Sequence, residues 1–97
     1  MAQYVLLVDF TEQGAKAVRD TVKRADAFRQ MAEKSGVKVH TLLWTLGQHD
    51  VVVVAEAAND EAATALSLSV AALGNVRTQT MRAFSAEETK AIIAKMV

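Results

Sequence analysis

The sequence contains no cysteine and no proline, and its 97 residues include only four glycines. The absence of cysteine excludes disulfide bonds, cysteine nucleophiles and thiolate metal sites. The glycines fall between segments of regular hydrophobic periodicity, and no linker or low-complexity tract separates those segments. The length and this even organisation predict a single domain over residues 1–97.

An excess of charge of one sign is also lacking, and aromatic residues are scarce. Eleven basic and eleven acidic residues cancel, and aromatic side chains make up 5% of the chain. A nucleic-acid partner is not expected, because nucleic acids select a basic surface. No apolar run approaches the ~18 residues needed to cross a bilayer, so no membrane partner is expected and a cytoplasmic location is the default expectation. Nothing in the composition indicates a cofactor.

Apolar residues, in contrast, are abundant, at 52% of the chain. A chain of this size is expected to fold to about 5,400 Å² of accessible surface, burying only about 64% of what the unfolded chain exposes. The surface that a monomer of this size buries is small for a chain with so many apolar side chains. The sequence therefore predicts a homodimer or higher homo-oligomer, in which another copy covers an apolar face.

Hydrophobic periodicity predicts four strands and three helices. The strands are expected at residues 3–10, 37–45, 50–57 and 76–84. A long amphipathic helix is expected over residues 15–35, with Thr11 as its N-cap, Gly36 at its end and an apolar stripe of Val18, Val22, Ala25, Phe28 and Ala32. Asn59 is expected to cap a second helix, with the stripe Ala62, Leu66, Val70 and Leu73, and a capping box at residues 85–88 begins a short third helix.

The resulting order is β-α-β-β-α-β with an extra C-terminal helix, which is the ferredoxin-like α+β arrangement. In that fold the antiparallel sheet has the strand order 4-1-3-2, so strands one and three are central. Those two strands are also the most apolar on both faces. The two crossover helices cover only one face of the sheet, and a second copy of the sheet is expected to cover the other.

Several short motifs occur in a fixed order at residues 11–14, 44–50, 56–57, 59–61 and 74–78. In these motifs and their spacing, nearly the whole chain resembles the GYD domain family of small bacterial proteins. The resemblance implies a ferredoxin-like, oligomeric domain akin to dimeric α+β barrels, with no established activity and no catalytic residues to carry over. The Gly, Tyr, Asp signature of the family corresponds here to Gly47, His49 and Asp50, so an imidazole stands where an aromatic hydroxyl is expected.

One rim of the predicted sheet gathers five chemically useful side chains. The end of strand one lies beside the starts of strands three and four and near the end of strand two, which brings together Asp9, Trp44, His49, Asp50 and Arg77. This set is a candidate site for a small anionic ligand or for proton transfer. Alternatively, Asp9 and Arg77 form an ion pair at the rim. Asp50 would then bond backbone amides of the turn, and Trp44 would pack.

Tyr4 and Glu56 form a second candidate site, towards the other end of the sheet. Tyr4 is expected close to Glu56 because strands one and three run antiparallel. Glu56 follows five apolar residues, so a partly buried carboxylate could act there as a general base. Alternatively, Glu56 forms an ion pair with Arg82 or Lys38.

The two histidines, His40 and His49, match no known metal-ligand spacing, so no metal site is expected. His40 is expected to share a strand face with Lys38, Leu42 and Trp44. That face could meet a partner subunit, which predicts a hydrogen-bonded interface histidine.

The sequence favours a homo-oligomeric module that binds a small ligand or serves in regulation, with no assigned activity. One alternative is a cofactor-independent enzyme of the dimeric α+β barrel type, such as an isomerase, a dehydratase or a monooxygenase. Another is a purely structural oligomer. A cavity between the helices and the sheet would favour the first two over the third.

Overall fold

A computed structural model describes residues 1–97 as four strands, four α-helices and one 3₁₀ turn. In chain order these are β1 (Ala2–Phe10), α1 (Glu12–Lys16), the 3₁₀ turn (Val18–Asp20), α2 (Thr21–Lys34), β2 (Lys38–Trp44), β3 (Val51–Ala57), α3 (Asp60–Ala72), β4 (Val76–Ala83) and α4 (Ala86–Ile93). All strand pairs are antiparallel. The strand order is β2-β3-β1-β4, which is the predicted order 4-1-3-2 read from the opposite edge. The protein is therefore a small α+β domain with the expected succession of elements.

The two faces of the sheet have different surroundings. The helix face carries the alternating residues of the central strands that form most of the hydrophobic core: Tyr4, Leu6, Val8, Val51, Val53, Ala55 and Ala57. Helices α2 and α3 add Ala32, Ala63 and Leu66 to this core. Because side chains alternate along a strand, the intervening residues point the other way.

The open face of the sheet carries Val5 and Leu7 of β1 and Val52 and Val54 of β3. These four side chains are only half-buried, and none of them belongs to the hydrophobic core. Leu43 of β2 pairs with Val52 and is 58% exposed. An apolar strip therefore crosses the sheet on the side opposite to helices α2 and α3.

The long helix predicted over residues 15–35 is interrupted, so that prediction is wrong in its continuity. α1 ends at Lys16, a 3₁₀ turn follows, and α2 begins at Thr21. Val18 lies in the 3₁₀ turn and is 42% exposed, because the helical phase assumed for the stripe does not hold there. Val22, in the first turn of α2, is 59% exposed, and only the later stripe residues Ala25, Phe28 and Ala32 turn towards the sheet.

The predicted helix caps are confirmed. The Thr11 hydroxyl accepts a hydrogen bond from the Gly14 amide at 3.1 Å and donates one to the Gly74 carbonyl at 2.6 Å. Asn59 caps α3 through a 2.9 Å bond from the Ala62 amide, and Ser85 caps α4 in a complete capping box. Each cap satisfies amide groups that a helix start leaves without partners.

The C-terminal helix α4 buries none of its residues. Its apolar side chains Ile92 and Ile93 are 43% and 58% exposed, and Met96 beyond it is 74% exposed. None of the four helices combines the length and the hydropathy needed to cross a bilayer. The helix thus adds apolar surface to the protein without adding to its core.

Candidate functional site

A cavity of about 130 Å³ lies between the helix face of the sheet and helices α2 and α3. Phe28 on α2, Trp44 at the end of β2 and Val70 on α3 each contribute to its walls, and Val53 of β3 lies at its floor. Fourteen of its eighteen lining residues are hydrophobic, which matches the usual apolar lining of small-molecule sites.

Four polar residues also line this cavity: Thr21, Arg24, Asn75 and Thr78. The Trp44 indole donates a hydrogen bond to the Thr21 hydroxyl at 3.0 Å, which fixes the ring as part of the wall. The Arg24 guanidinium donates to the Ala17 carbonyl at 2.8 Å. The cavity is therefore mainly apolar, with a few polar residues in its walls.

The first candidate site is divided by the sheet, contrary to the expectation that its residues meet. Trp44 pairs with Val51 and lines the cavity on the helix face. Asp9 and Arg77 pair with each other in the β1–β4 register. Asp9 continues the series of alternate residues Val5 and Leu7 along β1 and therefore lies on the open face with them. Trp44 therefore lies on the opposite face of the sheet from Asp9 and Arg77.

Asp9 and His49 form a close pair at the end of β1. His49 Nδ1 lies 3.1 Å from Asp9 Oδ1, and both side chains are about one third exposed. The expected ion pair between Asp9 and Arg77 is not formed; Asp9 has His49 as its partner. The imidazole leaves Nε2 without a hydrogen-bond partner in the chain.

Asp50 connects β1 to the turn before β3. Its carboxylate accepts a hydrogen bond from the Phe10 amide at 2.8 Å, and its own amide donates to the Val8 carbonyl at 2.9 Å. A bond to amides of the turn had been expected. The bonded amide instead belongs to the neighbouring strand β1. Asp50 thus holds the end of the sheet together.

Tyr4 and Glu56 do not form a common site. Tyr4 pairs with Ala55 on the helix face, and Glu56 pairs with Gln3 one position further on, so the two side chains point to opposite faces. The Tyr4 hydroxyl donates to Asp60 Oδ1 at 2.6 Å, and only 3% of Tyr4 is exposed. Tyr4 therefore joins the core to the start of α3.

His40 is the partner of Glu56, in place of the expected Arg82 or Lys38. His40 Nε2 lies 3.0 Å from Glu56 Oε1. A bulge between Val39 and Thr41 makes His40 the extra residue of β2. Because the bulge adds one residue to β2, the residues after it face the opposite side from the one that simple alternation predicts. Lys38 therefore lies on the open face, whereas Leu42 and Trp44 lie on the helix face. The prediction that His40 shares a face with Leu42 and Trp44 is wrong for this reason.

Tyr4 is the only tyrosine, so its ionisation can be followed without interference. Burial raises the pKa of Tyr4, and its hydrogen bond to Asp60 raises the pKa further. The resulting stabilisation is complete below the unfolded pKa of about 10 and is lost as pH rises through the folded pKa. We expect the near-ultraviolet phenolate absorbance to appear at higher pH in native protein than in concentrated urea.

Two variants control this titration. Tyr4→Phe is expected to abolish the absorbance change and to remove the loss of stability associated with Tyr4 at alkaline pH. Asp60→Asn, which removes the negative charge beside the hydroxyl, is expected to lower the native titration point. Equal titration points in native and unfolded protein would contradict the buried position of Tyr4.

Arg24 and Thr21 were not among the residues predicted for a site, because only the apolar stripe of this helix was singled out in the sequence. A signal was present, because Arg24 precedes Phe28 by four residues and Thr21 precedes Arg24 by three. Residues at these spacings lie on one face of a helix. Nowhere do three or more His, Asp or Glu side chains come together as a metal site would require.

The four-stranded sheet, its helices and the cavity define a small α+β domain, and the comparisons with known proteins agree. The sequence matches the GYD domain over residues 4–93, and the chain belongs to this family. The resemblance drawn from the short motifs is thereby confirmed.

Known structures and curated proteins add little beyond the fold. The structure is similar to a homoserine dehydrogenase from Thiobacillus denitrificans, with a TM-score of 0.57 and 14% sequence identity. The similar region covers 84% of this chain and only 17% of that protein, so the likeness concerns the fold alone. No curated protein matches the sequence.

Proposed function

We propose that the protein is a homo-oligomeric module that binds a small ligand in the cavity between the helix face and helices α2 and α3. The cavity itself is the observation that carries this proposal. An engineered apolar cavity of about 150 Å³ in another protein accepts benzene, so a cavity of this size suits a ligand the size of one ring. Such a site favours ligand binding over a purely structural role.

The open face supports self-association as a dimeric α+β barrel on a ferredoxin-like fold. The isolated chain has 6590 Å² of accessible surface, against about 5,400 Å² for a compact chain of this length. Its radius of gyration is 14.5 Å, where about 12.5 Å is usual. The surplus of roughly 1,200 Å² exceeds the ~800 Å² that each partner contributes to a standard interface. The apolar strip on the open face and helix α4 are the surfaces available for it.

Filling the cavity is expected to prevent ligand binding. Ala25 lines the cavity and is half-buried, so Ala25→Leu places additional methyl groups inside it. With toluene as the probe, we expect wild-type amide resonances to shift for residues around Val53 and Val70, and the Leu variant to lose at least about tenfold in affinity. Two-dimensional ¹⁵N NMR measures both the affinity and the location.

Ala65→Leu is the matched control, because Ala65 is exposed on α3 and does not line the cavity. This control is expected to bind toluene as the wild type does. Shifts confined to the open face, or equal affinity in the Ala25 and Ala65 variants, would refute ligand binding in this cavity.

A cofactor-independent enzyme is the second candidate, and the Asp9–His49 pair is the observation that favours it. A carboxylate at Nδ1 orients an imidazole and leaves Nε2 available for proton transfer, as in many acid–base sites. His49→Asn keeps a donor towards Asp9 and removes Nε2. Small ketones incubated in D₂O would incorporate deuterium with the wild type but not with this variant; no incorporation with the wild type would count against such an enzyme.

A further inference from the structure

We propose that the cavity binds a small monocarboxylic acid with a ring-sized apolar tail, and that Arg24 anchors the carboxylate. This inference rests on the proposed ligand-binding function of the cavity and adds the chemical class of the ligand. Neither the family match nor the structural likeness assigns a ligand or a role to Arg24.

Arg24 lines an apolar cavity, and its guanidinium has unused donors. One of its five N–H groups reaches the Ala17 carbonyl, and no carboxylate forms a salt bridge with it. Arg24 is half-buried, so it has given up part of its hydration. An opposite charge stabilises a half-buried guanidinium more than it stabilises a fully exposed one, because water screens the attraction less.

The charge of the cavity selects an anion. Arg24 is the only charged residue among its eighteen lining residues, so the lining itself contains no acidic side chain that would compete for the guanidinium or attract a cation. The planar fork of an arginine binds a carboxylate through two parallel hydrogen bonds. A single arginine fits a singly charged carboxylate better than a doubly charged phosphate, which usually draws on several donors.

The shape and lining of the cavity select the tail. Its volume of about 130 Å³ suits one ring or a short branched chain and excludes a long fatty acid from full burial. Phe10, Phe28 and Trp44 supply aromatic walls for such a group. The hydroxyl of Thr21, one helical turn before Arg24, lies on the same side of α2 and offers a further hydrogen bond to the carboxylate.

Benzoate and toluene test this assignment together, because they share the ring and differ in charge. Binding to the full chain would be followed by the fluorescence of Trp44, the only tryptophan, and by ¹⁵N NMR. We expect Arg24→Gln to weaken benzoate binding about 10- to 100-fold, which corresponds to the loss of a charged hydrogen bond. Toluene affinity is expected to change less than about twofold, which also shows that the variant keeps its fold and cavity.

Arg29→Gln is the matched control, since Arg29 is exposed on the same helix and does not line the cavity. It is expected to leave both affinities unchanged, and Arg24→Lys is expected to retain part of the benzoate affinity. Toluene binding without benzoate binding, or equal benzoate affinity in wild type and Arg24→Gln, would overturn the carboxylate assignment alone. Failure of both probes to bind would overturn the ligand-binding proposal and this inference with it.

Discussion

Replacing Gly14 by alanine is expected to lower the free energy of unfolding by about 3 kcal/mol, the upper part of the usual range for overpacking. An added Cβ at Gly14 would lie 1.9 Å from the Asn75 carbonyl oxygen and 2.9 Å from its carbon. These are backbone atoms, and the same carbonyl accepts the Thr11 amide at 3.0 Å, so they cannot move without breaking the contact between α1 and the turn before β4. Urea unfolding followed by circular dichroism measures the effect.

Gly36→Ala is the control for this substitution. Gly36 has a φ of +76° and no atom within 4 Å of the added Cβ, so alanine there meets conformational strain but no clash. The expected cost is about 1 kcal/mol, that of a left-handed conformation for alanine. If Gly14→Ala unfolds at the same urea concentration as Gly36→Ala, the close approach of α1 to Asn75 is not present in solution.

If the protein is the homo-oligomer proposed above, Val54→Asp is expected to convert it to a monomer. Val54 lies on the central strand β3, where it pairs with Val5 and Thr41 on the open face. A carboxylate placed inside an apolar interface would be desolvated without a partner, which costs several kcal/mol for each copy. Light scattering coupled to size-exclusion chromatography should report a multiple of 10.5 kDa for the wild type and 10.5 kDa for the variant.

Leu68→Asp provides the same chemical change on a different surface. Leu68 is 66% exposed on α3, on the side of the protein away from the open face, and its substitution should leave the oligomer intact. A wild type that is monomeric at micromolar concentration, or a Val54→Asp variant of unchanged mass, would exclude the open face as the interface. Toluene binding should survive in the Val54→Asp monomer, because the cavity is formed within one subunit.

Local sequence signals were sufficient to predict the elements and their order. Thr11, Asn59 and Ser85 cap the helices as predicted, because an N-cap depends only on the residues of the adjacent turn. Element bounds agree to within a few residues, except where the first long helix is interrupted.

The contacts across the candidate site could not be predicted in this way. The bulge at His40 shifts the register of β2 by one residue, and a one-residue shift moves every later side chain to the other face. The pairing of Asp9 with His49 and of Glu56 with His40 likewise depends on side chains 40 and 16 positions apart meeting in the folded chain. No local pattern contains that information.

The sequence by itself determined the composition of the elements, their succession and the apolar character of both faces of the central strands. Only the tertiary structure decided which polar groups meet. It separated Trp44 from Asp9, and it brought Arg24 and Trp44 to the walls of one cavity. The physical reason is that periodicity records how each segment divides between buried and exposed sides, whereas a site depends on the packing of several segments against one another.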